Sequence, residues 1–244
     1  MDKYNDQEKM MEQVRKLALN NPENIRIIET NVDSDIQIEF FETLQKIEIT
    51  ENNIDPKALY AELFLNTVDI ERKKEVLAIL TVLGEVESFR LLETYLKKTT
   101  PELKSWAFLA YQQARLLLES KLLNKDSIIY VASGLGGKDH KLRYIFALFA
   151  KENNINETQK NIIKGEIEYS LKKNDGIIEN ILFKDKFVLC TILVPLYINL
   201  VELIQNMTEE INQYGNFLEE NIFLTNEKPV TMEDIEKYSI NNNE

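Results

Sequence analysis

Several residue types on which common active sites depend are nearly missing from this chain of 244 residues. It has one histidine, one cysteine and one tryptophan, with only seven glycines and five prolines. The single histidine, His140, excludes metal sites built from several histidines and paired histidine acid–base chemistry. The single cysteine, Cys190, excludes an internal disulfide, and its apolar neighbours predict a buried, inert thiol. Carboxylates are plentiful, but no spacing singles out a catalytic pair. We therefore expect no enzyme activity, no resident metal and no cofactor.

Long hydrophobic runs are also missing. The strongest candidate for a membrane segment, Phe187–Ile198, has twelve uncharged residues, whereas a spanning helix needs roughly twenty. The opening MDKYNDQEKM is polar and charged and lacks the apolar region of a secretory signal. These features predict no membrane insertion and a cytoplasmic location.

Basic residues are too few to balance the acidic ones, 29 against 41, so the net charge is -12. A field of this sign repels phosphate backbones, which argues against nucleic acid as the main partner. The segment Asn206–Glu244 is especially acidic, with nine acidic residues and two lysines. Two interpretations stay open: this acidic end docks a basic protein partner, or it keeps the protein soluble.

Helical periodicity dominates the first half of the chain. Amphipathic helices are predicted for Gln7–Asn20, Pro56–Leu65, Glu71–Leu83, Glu85–Lys98 and Pro101–Leu122. Residues 23–51 show no single clean period, and we expect helices there as well. Gly84 lies where a helix C-cap needs a left-handed residue, and Thr100 precedes Pro101 as an N-cap. The short breaks predict antiparallel helical hairpins.

Two of these hairpins repeat at a spacing of about thirty residues, as stacked helical repeats do. Glu75–Leu80 (EVLAIL) aligns with Ser105–Ala110 (SWAFLA), and Leu83–Val86 (LGEV) forms the turn before an apolar helix. On these residues, positions 55–125 resemble HEAT-like α-helical repeats. The resemblance implies an α-solenoid whose exposed helices bind another macromolecule. Trp106, with Phe108 and Tyr111 nearby, is expected to pack in the core or between repeats.

After Asn124, β-branched and aromatic residues concentrate. Strands are predicted for Ile128–Val131, Leu142–Phe149, Ile177–Phe183 and Phe187–Val194, with helices at Glu157–Lys173 and Leu200–Tyr214. The order strand, strand, helix, strand, strand, helix predicts helices packed on an antiparallel sheet. The fold class is therefore α+β, with an α-helical HEAT-like domain over residues 1–124 and an α+β domain over residues 125–244. If residues 128–149 were helical instead, the chain would be all-α.

Three of the seven glycines fall in Ser133–His140 (SGLGGKDH), directly after a predicted strand. Gly137-Lys138 superficially matches a phosphate-binding loop, but Ala132 replaces the first glycine and Asp139 replaces the magnesium-binding Ser or Thr. The plainer interpretation is a hairpin connection that joins two strands. The loop also carries the densest basic patch of an acidic protein. Its members are the predicted ligand or partner contacts Lys138, His140, Lys141 and Arg143.

These patterns lead to two hypotheses. The first is a non-enzymatic cytoplasmic interaction module, such as an adaptor, a regulatory subunit or an immunity-type protein. It would bind a protein partner, possibly a basic toxin, through its helical faces or its acidic surface. The second is a C-terminal domain that binds an anionic small molecule or acts as an enzyme, using the glycine-rich loop of residues 133–143.

Overall fold

The computed structural model describes residues 15–20, 25–47, 54–123, 129–131, 133–152 and 154–241. The chain divides into two compact units, which we call the helical unit (Val32–Ile128) and the sheet unit (Met1–Asn31 with Ile129–Glu244). The sequence placed residues 1–124 in one domain, but in this division the first 31 residues belong with the C-terminal half. The physical reason is a strand at Ile25–Ile27 that pairs with Ile129–Val131.

The helices and strands lie as follows. The helices are α1 (residues 15–20), α2 (Ser34–Lys46), α3 (Pro56–Glu62), α4 (Ile70–Leu83), α5 (Val86–Leu96), α6 (Lys104–Leu123), α7 (Glu157–Lys173), α8 (Leu200–Asn212) and α9 (Met232–Asn241). The strands are β1 (Ile25–Ile27), β2 (Ile129–Val131), β3 (Gly137–Lys138), β4 (Lys141–Ala150), β5 (Ile177–Lys184), β6 (Phe187–Pro195) and β7 (Leu218–Thr225). The rest of the predicted helix Gln7–Asn20, residues 7–14, and residue 128 of the first predicted strand lie outside the described residues.

Local capping explains most boundaries in the helical unit. Gly84 ends α4 in the left-handed conformation, with φ of 58°, as predicted. The ammonium of Lys121 donates to the Gly84 carbonyl at 3.0 Å, which satisfies an otherwise unpaired acceptor at that helix end. The predicted N-cap at Thr100 is wrong in one respect: its side chain makes no capping hydrogen bond, because a 3-10 turn at Pro101–Leu103 begins the segment instead.

Contacts about thirty residues apart join the helices of this unit. Lys57 at the start of α3 pairs with Glu87 at the start of α5 at 2.9 Å. The hydroxyl of Thr81 on α4 donates to the Leu77 carbonyl at 2.8 Å and also lies 3.4 Å from the Ala110 carbonyl oxygen on α6. Helices α3 and α5 are therefore neighbours, as are α4 and α6.

Helix α2 packs on α4 and α6, although the sequence before Pro56 showed no clean period. Its Phe40, fully buried, meets Trp106 of α6 edge to face at 5.3 Å. Lys74 of α4 pairs with Glu39 of α2 at 2.7 Å and lies 5.3 Å from the centre of the Trp106 ring. Trp106 is thus a packing residue, as the sequence predicted.

The sheet unit confirms the predicted α+β fold class. Its main sheet is antiparallel, with the order β5-β6-β4, and the far edge of β4 pairs first with β3 and then with β7. From β4 onward the elements run β4-α7-β5-β6-α8-β7, the β-α-β-β-α-β order of the ferredoxin-like arrangement. The all-α alternative is wrong, because Lys141–Ala150 is a ten-residue strand.

Both faces of this sheet are covered, which explains why β4 and β6 are apolar along nearly their whole length. Helices α7 and α8 cover one face, where Ile163, Ile167 and Ile204 pack against Phe146, Leu148, Val188 and Cys190. Helix α9 covers the other face, where Ile235 packs with Ile145, Ala147, Phe149, Phe187 and Leu189.

The sequence predicted β2 as a strand of the same sheet as β4, but β2 lies outside the main sheet. It pairs in parallel with β1, which lies within residues 23–51, where the sequence predicted helices. Next to this pair, Ala18 of α1 and Ile25 of β1 pack with Leu142 and Leu196. Among the described helices none is both long enough and apolar enough to cross a membrane.

Candidate functional site

Backbone N–H groups of the glycine-rich loop donate hydrogen bonds to carbonyl groups of the same chain. The N–H of Leu135 donates to the Asn226 carbonyl at 3.1 Å, and the N–H of Gly137 donates to the Glu29 carbonyl at 3.2 Å. The N–H of Gly136 turns back to the Ser133 carbonyl at 3.0 Å. A phosphate-binding loop needs such N–H groups to point at its ligand. This geometry therefore gives no support to phosphate binding here.

Two of the glycines allow close approach of backbone segments. Gly136 has φ of 66°, and a Cβ added to it would overlap the carbonyl oxygen of Glu29. A Cβ on Gly137 would overlap the carbonyl oxygen of Lys141. Gly136 and Gly137 are thus explained by packing of the loop against β4 and against β1 with the residues that follow it.

The predicted hairpin exists, but it joins different strands. The sequence suggested that residues 133–140 connect β2 to β4, whereas β2 pairs with β1. The hairpin partner of β4 is the two-residue strand β3, and the turn between them is Asp139-His140. Both turn residues have positive φ, 49° and 61°, as a two-residue hairpin turn with matching twist requires.

The four predicted contact residues do not form one basic patch. Lys138 and His140 are exposed. Lys141 forms an ion pair with Asp175 at 3.1 Å. Arg143 donates through two nitrogens to the Glu179 carboxylate, with Nη2 to Oε1 at 2.8 Å, and through Nη1 to the Leu135 carbonyl at 2.7 Å. The hydrogen bond from Arg143 lowers the pKa of the Glu179 carboxyl below its ordinary value.

A cavity of 270 Å³ lies beside the turn, and it gathers only two of the predicted residues, His140 and Lys141. Asp139, Asp175 and Tyr197 add polar groups, and Ala18, Ile25, Pro195 and Leu196 complete the lining. Sequence reasoning missed Asp175 and Tyr197 as site residues. The Asn174-Asp175-Gly176 stretch signalled only a helix end, and nothing in the sequence places Tyr197 next to His140.

The cysteine and the potential metal ligands were two further candidates for chemistry in the described part of the chain. Cys190 is fully buried on β6, and burial raises the pKa of its thiol. No cluster of three or more His, Cys, Asp or Glu residues that could hold a metal ion occurs in the described ranges.

A polar cleft lies in the described part of the acidic end. It has a volume of 420 Å³ and is lined by residues of α8 and β7 and of the turn between them, among them Glu209, Asn212 and Glu220. The amide of Asn212 accepts from the Leu218 N–H at 2.8 Å and donates to the Leu218 carbonyl at 3.0 Å. That amide therefore fastens β7 to the end of α8.

The helical unit exposes apolar side chains at the connection between α3 and α4. Phe64 and Leu65, consecutive in this connection, are 48% and 49% exposed. The Phe64 ring meets Tyr60 edge to face at 5.1 Å and Tyr95 at 5.6 Å. Tyr95 itself is buried on α5. We call Phe64 and Leu65, with their support from Tyr60 and Tyr95, the aromatic corner.

Comparisons with known proteins give little further information. No protein-family model matches the chain, and no curated protein matches it. Among solved structures, it is similar to one described as a REP-associated tyrosine transposase bound to a REP hairpin, at 9% sequence identity. The match covers 39% of this chain and 61% of that chain, with a TM-score of 0.31. A likeness this weak carries no argument about function.

Proposed function

We propose that this chain is a non-enzymatic, cytoplasmic protein-binding module that holds its partner through the helical unit. The observation that carries the proposal is the aromatic corner. Two large apolar side chains stand next to each other, each about half exposed, on a short connection between packed helices.

The corner has the properties of an interface anchor. Residues that dominate binding energy are enriched in aromatics and are packed against rigid surroundings. Phe64 is held from two sides, by Tyr60 and by the buried Tyr95, so little side-chain freedom remains to be lost on binding. A partner with an apolar pocket would bury Phe64 and Leu65 together.

The arrangement of helices supports this proposal. Neighbouring α3 and α5, and neighbouring α4 and α6, have contacts at the repeat distance of about thirty residues, as the proposed HEAT-like repeats would have. Proteins of that type bind macromolecules on exposed helical surfaces. The net charge of -12 favours a basic partner, which includes the immunity-type variant of the proposal.

The alternative, an anion-binding or enzymatic loop at residues 133–143, has weaker support. Two of its three lysine and arginine side chains are already paired with carboxylates, Lys141 with Asp175 and Arg143 with Glu179. A compensated cation offers an anion much less attraction than a free one.

Affinity purification of the tagged full chain from its source cells tests the proposal. We expect a stoichiometric protein partner with the native chain, and loss of that partner when Phe64 and Leu65 are both changed to Ser. The matched control is Val86→Ser on α5, which removes a side chain that is 57% exposed in the same unit. Capture that survives the double change, or that fails with Val86→Ser, would contradict the role of the corner.

A further inference from the structure

The cavity beside the Asp139-His140 turn joins an apolar floor to a charged rim. Ala18, Ile25 and Leu196 form the floor and are each at most 7% exposed. His140, Lys141, Asp175 and the ring of Tyr197 lie around it. A concave apolar surface with a few polar groups around it is the usual form of a ligand site.

Side chains occupy positions around this cavity where glycine would be favoured. His140 has φ of 61° at the second turn position, where hairpins of this kind strongly prefer glycine. Asp175 has φ of 54° just after α7 ends, again a position typical of glycine. Both residues line the same cavity. Functional sites are among the places where local rules are broken in this way.

The charges around the cavity are of both signs. The Lys141 side chain is only 13% exposed, whereas Asp175, its partner at 3.1 Å, is 72% exposed. Asp139 adds a second carboxylate to the lining. A purely anionic ligand would meet two carboxylates, and a purely cationic ligand would meet Lys141. Lys141 and Asp175 already compensate each other. A ligand with both charges can replace this one pair by two, with its ammonium at an aspartate and its carboxylate at Lys141, whereas a ligand with one charge leaves a group unpaired.

We propose that this cavity binds a small zwitterion with a short apolar side chain, the chemistry of a free aliphatic α-amino acid. The ammonium lies between Asp175 and the Tyr197 ring, where a cation also gains from the aromatic face. The carboxylate lies at Lys141 and His140, and the apolar side chain reaches Ala18, Ile25 and Leu196. The volume of 270 Å³ suits a molecule of this size. This site is separate from the aromatic corner and does not depend on the proposed protein binding.

Calorimetry and thermal melting of the full chain with L-valine and L-leucine test the inference. We expect binding with a dissociation constant on the order of 1 mM or tighter, and a higher melting temperature when the amino acid is present. Isobutylamine and isovalerate, which carry only one of the two charges, are expected to bind at least about tenfold more weakly. Equal binding of either single-charge compound, or no binding by any of these probes, would overturn the inference.

The chain offers a matched pair of variants for this test. Asp175 and Asp185 are both left-handed aspartates in turns, with φ of 54° and 47°, but only Asp175 lines the cavity. Asparagine tolerates this conformation. Asp175→Asn is expected to weaken leucine binding about tenfold or more, while Asp185→Asn leaves it unchanged. His140→Asn provides a second cavity variant if Asp175→Asn fails to fold. Native-like affinity in a folded cavity variant would contradict the proposed site.

Discussion

Each unit contains an aromatic cluster built on edge-to-face contacts, and the two clusters end in different environments. In the sheet unit, Tyr238 of helix α9 meets Phe223 of β7 at 5.0 Å and 73°, and both pack against buried residues of the sheet. In the helical unit, Tyr60 meets Phe64 at 5.1 Å and 69°, yet Phe64 stays 48% exposed. The same contact thus helps to hold a helix on the sheet in one unit and leaves a ring open at the surface in the other. Similar aromatic geometry does not by itself distinguish packing from binding; the exposure of the rings does.

The largest effect in the sheet unit is expected from opening the core under helix α9. Ile235 of α9 is fully buried against the sheet, so Ile235→Ala should lower the free energy of unfolding by about 2–4 kcal/mol. Urea denaturation followed by circular dichroism measures this. Ile177→Ala is the control, since Ile177 of β5 is 43% exposed, and it should change stability far less. A loss below about 1 kcal/mol for Ile235→Ala would mean that α9 does not close the sheet.

A somewhat smaller loss is expected at the loop that completes the sheet unit. Gly136→Ala places a Cβ on a left-handed residue and against the Glu29 carbonyl, which should cost about 2 kcal/mol or more. Gly165→Ala is the matched control, because a Cβ there meets open space on helix α7. It should stabilise the protein by about 0.5–1 kcal/mol. Opposite signs for the two glycines are the result to look for in thermal melting, and equal effects would contradict the packing role of Gly136.

The pH dependence of protein stability tests whether Arg143 stabilises the fold through its pair with Glu179. Its hydrogen bond holds the pKa of Glu179 below the ordinary value, so the folded state favours the ionised carboxylate. This stabilisation is fully present above the unfolded-state pKa of about 4.3 and is lost as the pH falls through the folded-state pKa. Glu179→Gln should therefore cost about 1 kcal/mol at pH 7, and less as the pH falls below about 4.

The control for this profile is Glu168→Gln. The ammonium of Lys164 lies 3.8 Å from the Glu168 carboxylate, and both side chains are exposed on the solvent face of α7. The pair should therefore contribute little to the free energy of unfolding. A difference between native chain and Glu179→Gln that stays constant from pH 7 to about pH 3 would contradict the account of Arg143.

The smallest stability effect is expected at the open cluster. Phe64→Ala should change the free energy of unfolding by less than about 1 kcal/mol, because half of the side chain is already exposed. Phe40→Ala in the same unit, where the ring is fully buried, should cost about 3–5 kcal/mol. Fluorescence of Trp106 during urea unfolding reports both variants. Similar losses for the two would show that the corner is part of the core.

Much of the fold could be predicted because its signals are local. The predicted helix Glu157–Lys173 has the bounds observed, since the Asn156 capping box and the Asn174 end lie within the same stretch of sequence. Strand β6 was visible because both faces of the sheet are covered, which makes the strand apolar along its length. Gly84 was recognisable as a C-cap for a similar local reason.

What was missed depends on long-range pairing. Strand β1 has three residues and exists through parallel pairing with β2, over a hundred residues away. Strand β7 (LEENIFLT) begins with a polar stretch on a sheet edge, so its alternation is weak. The compensation of Arg143 by Glu179 and of Lys141 by Asp175 also follows from sheet and helix packing, which a linear basic patch does not show. Of the four predicted contact residues, only His140 and Lys141 line the cavity.

The most direct test of the proposed function is photo-crosslinking in the source cells. A photoactivatable phenylalanine analogue is placed at position 64 in one sample and at position 86 in another, both exposed in the helical unit. The proposal predicts a discrete covalent adduct with one protein from position 64, and none from position 86. No adduct from position 64, or the same adducts from both positions, would contradict the claim that the aromatic corner holds a partner.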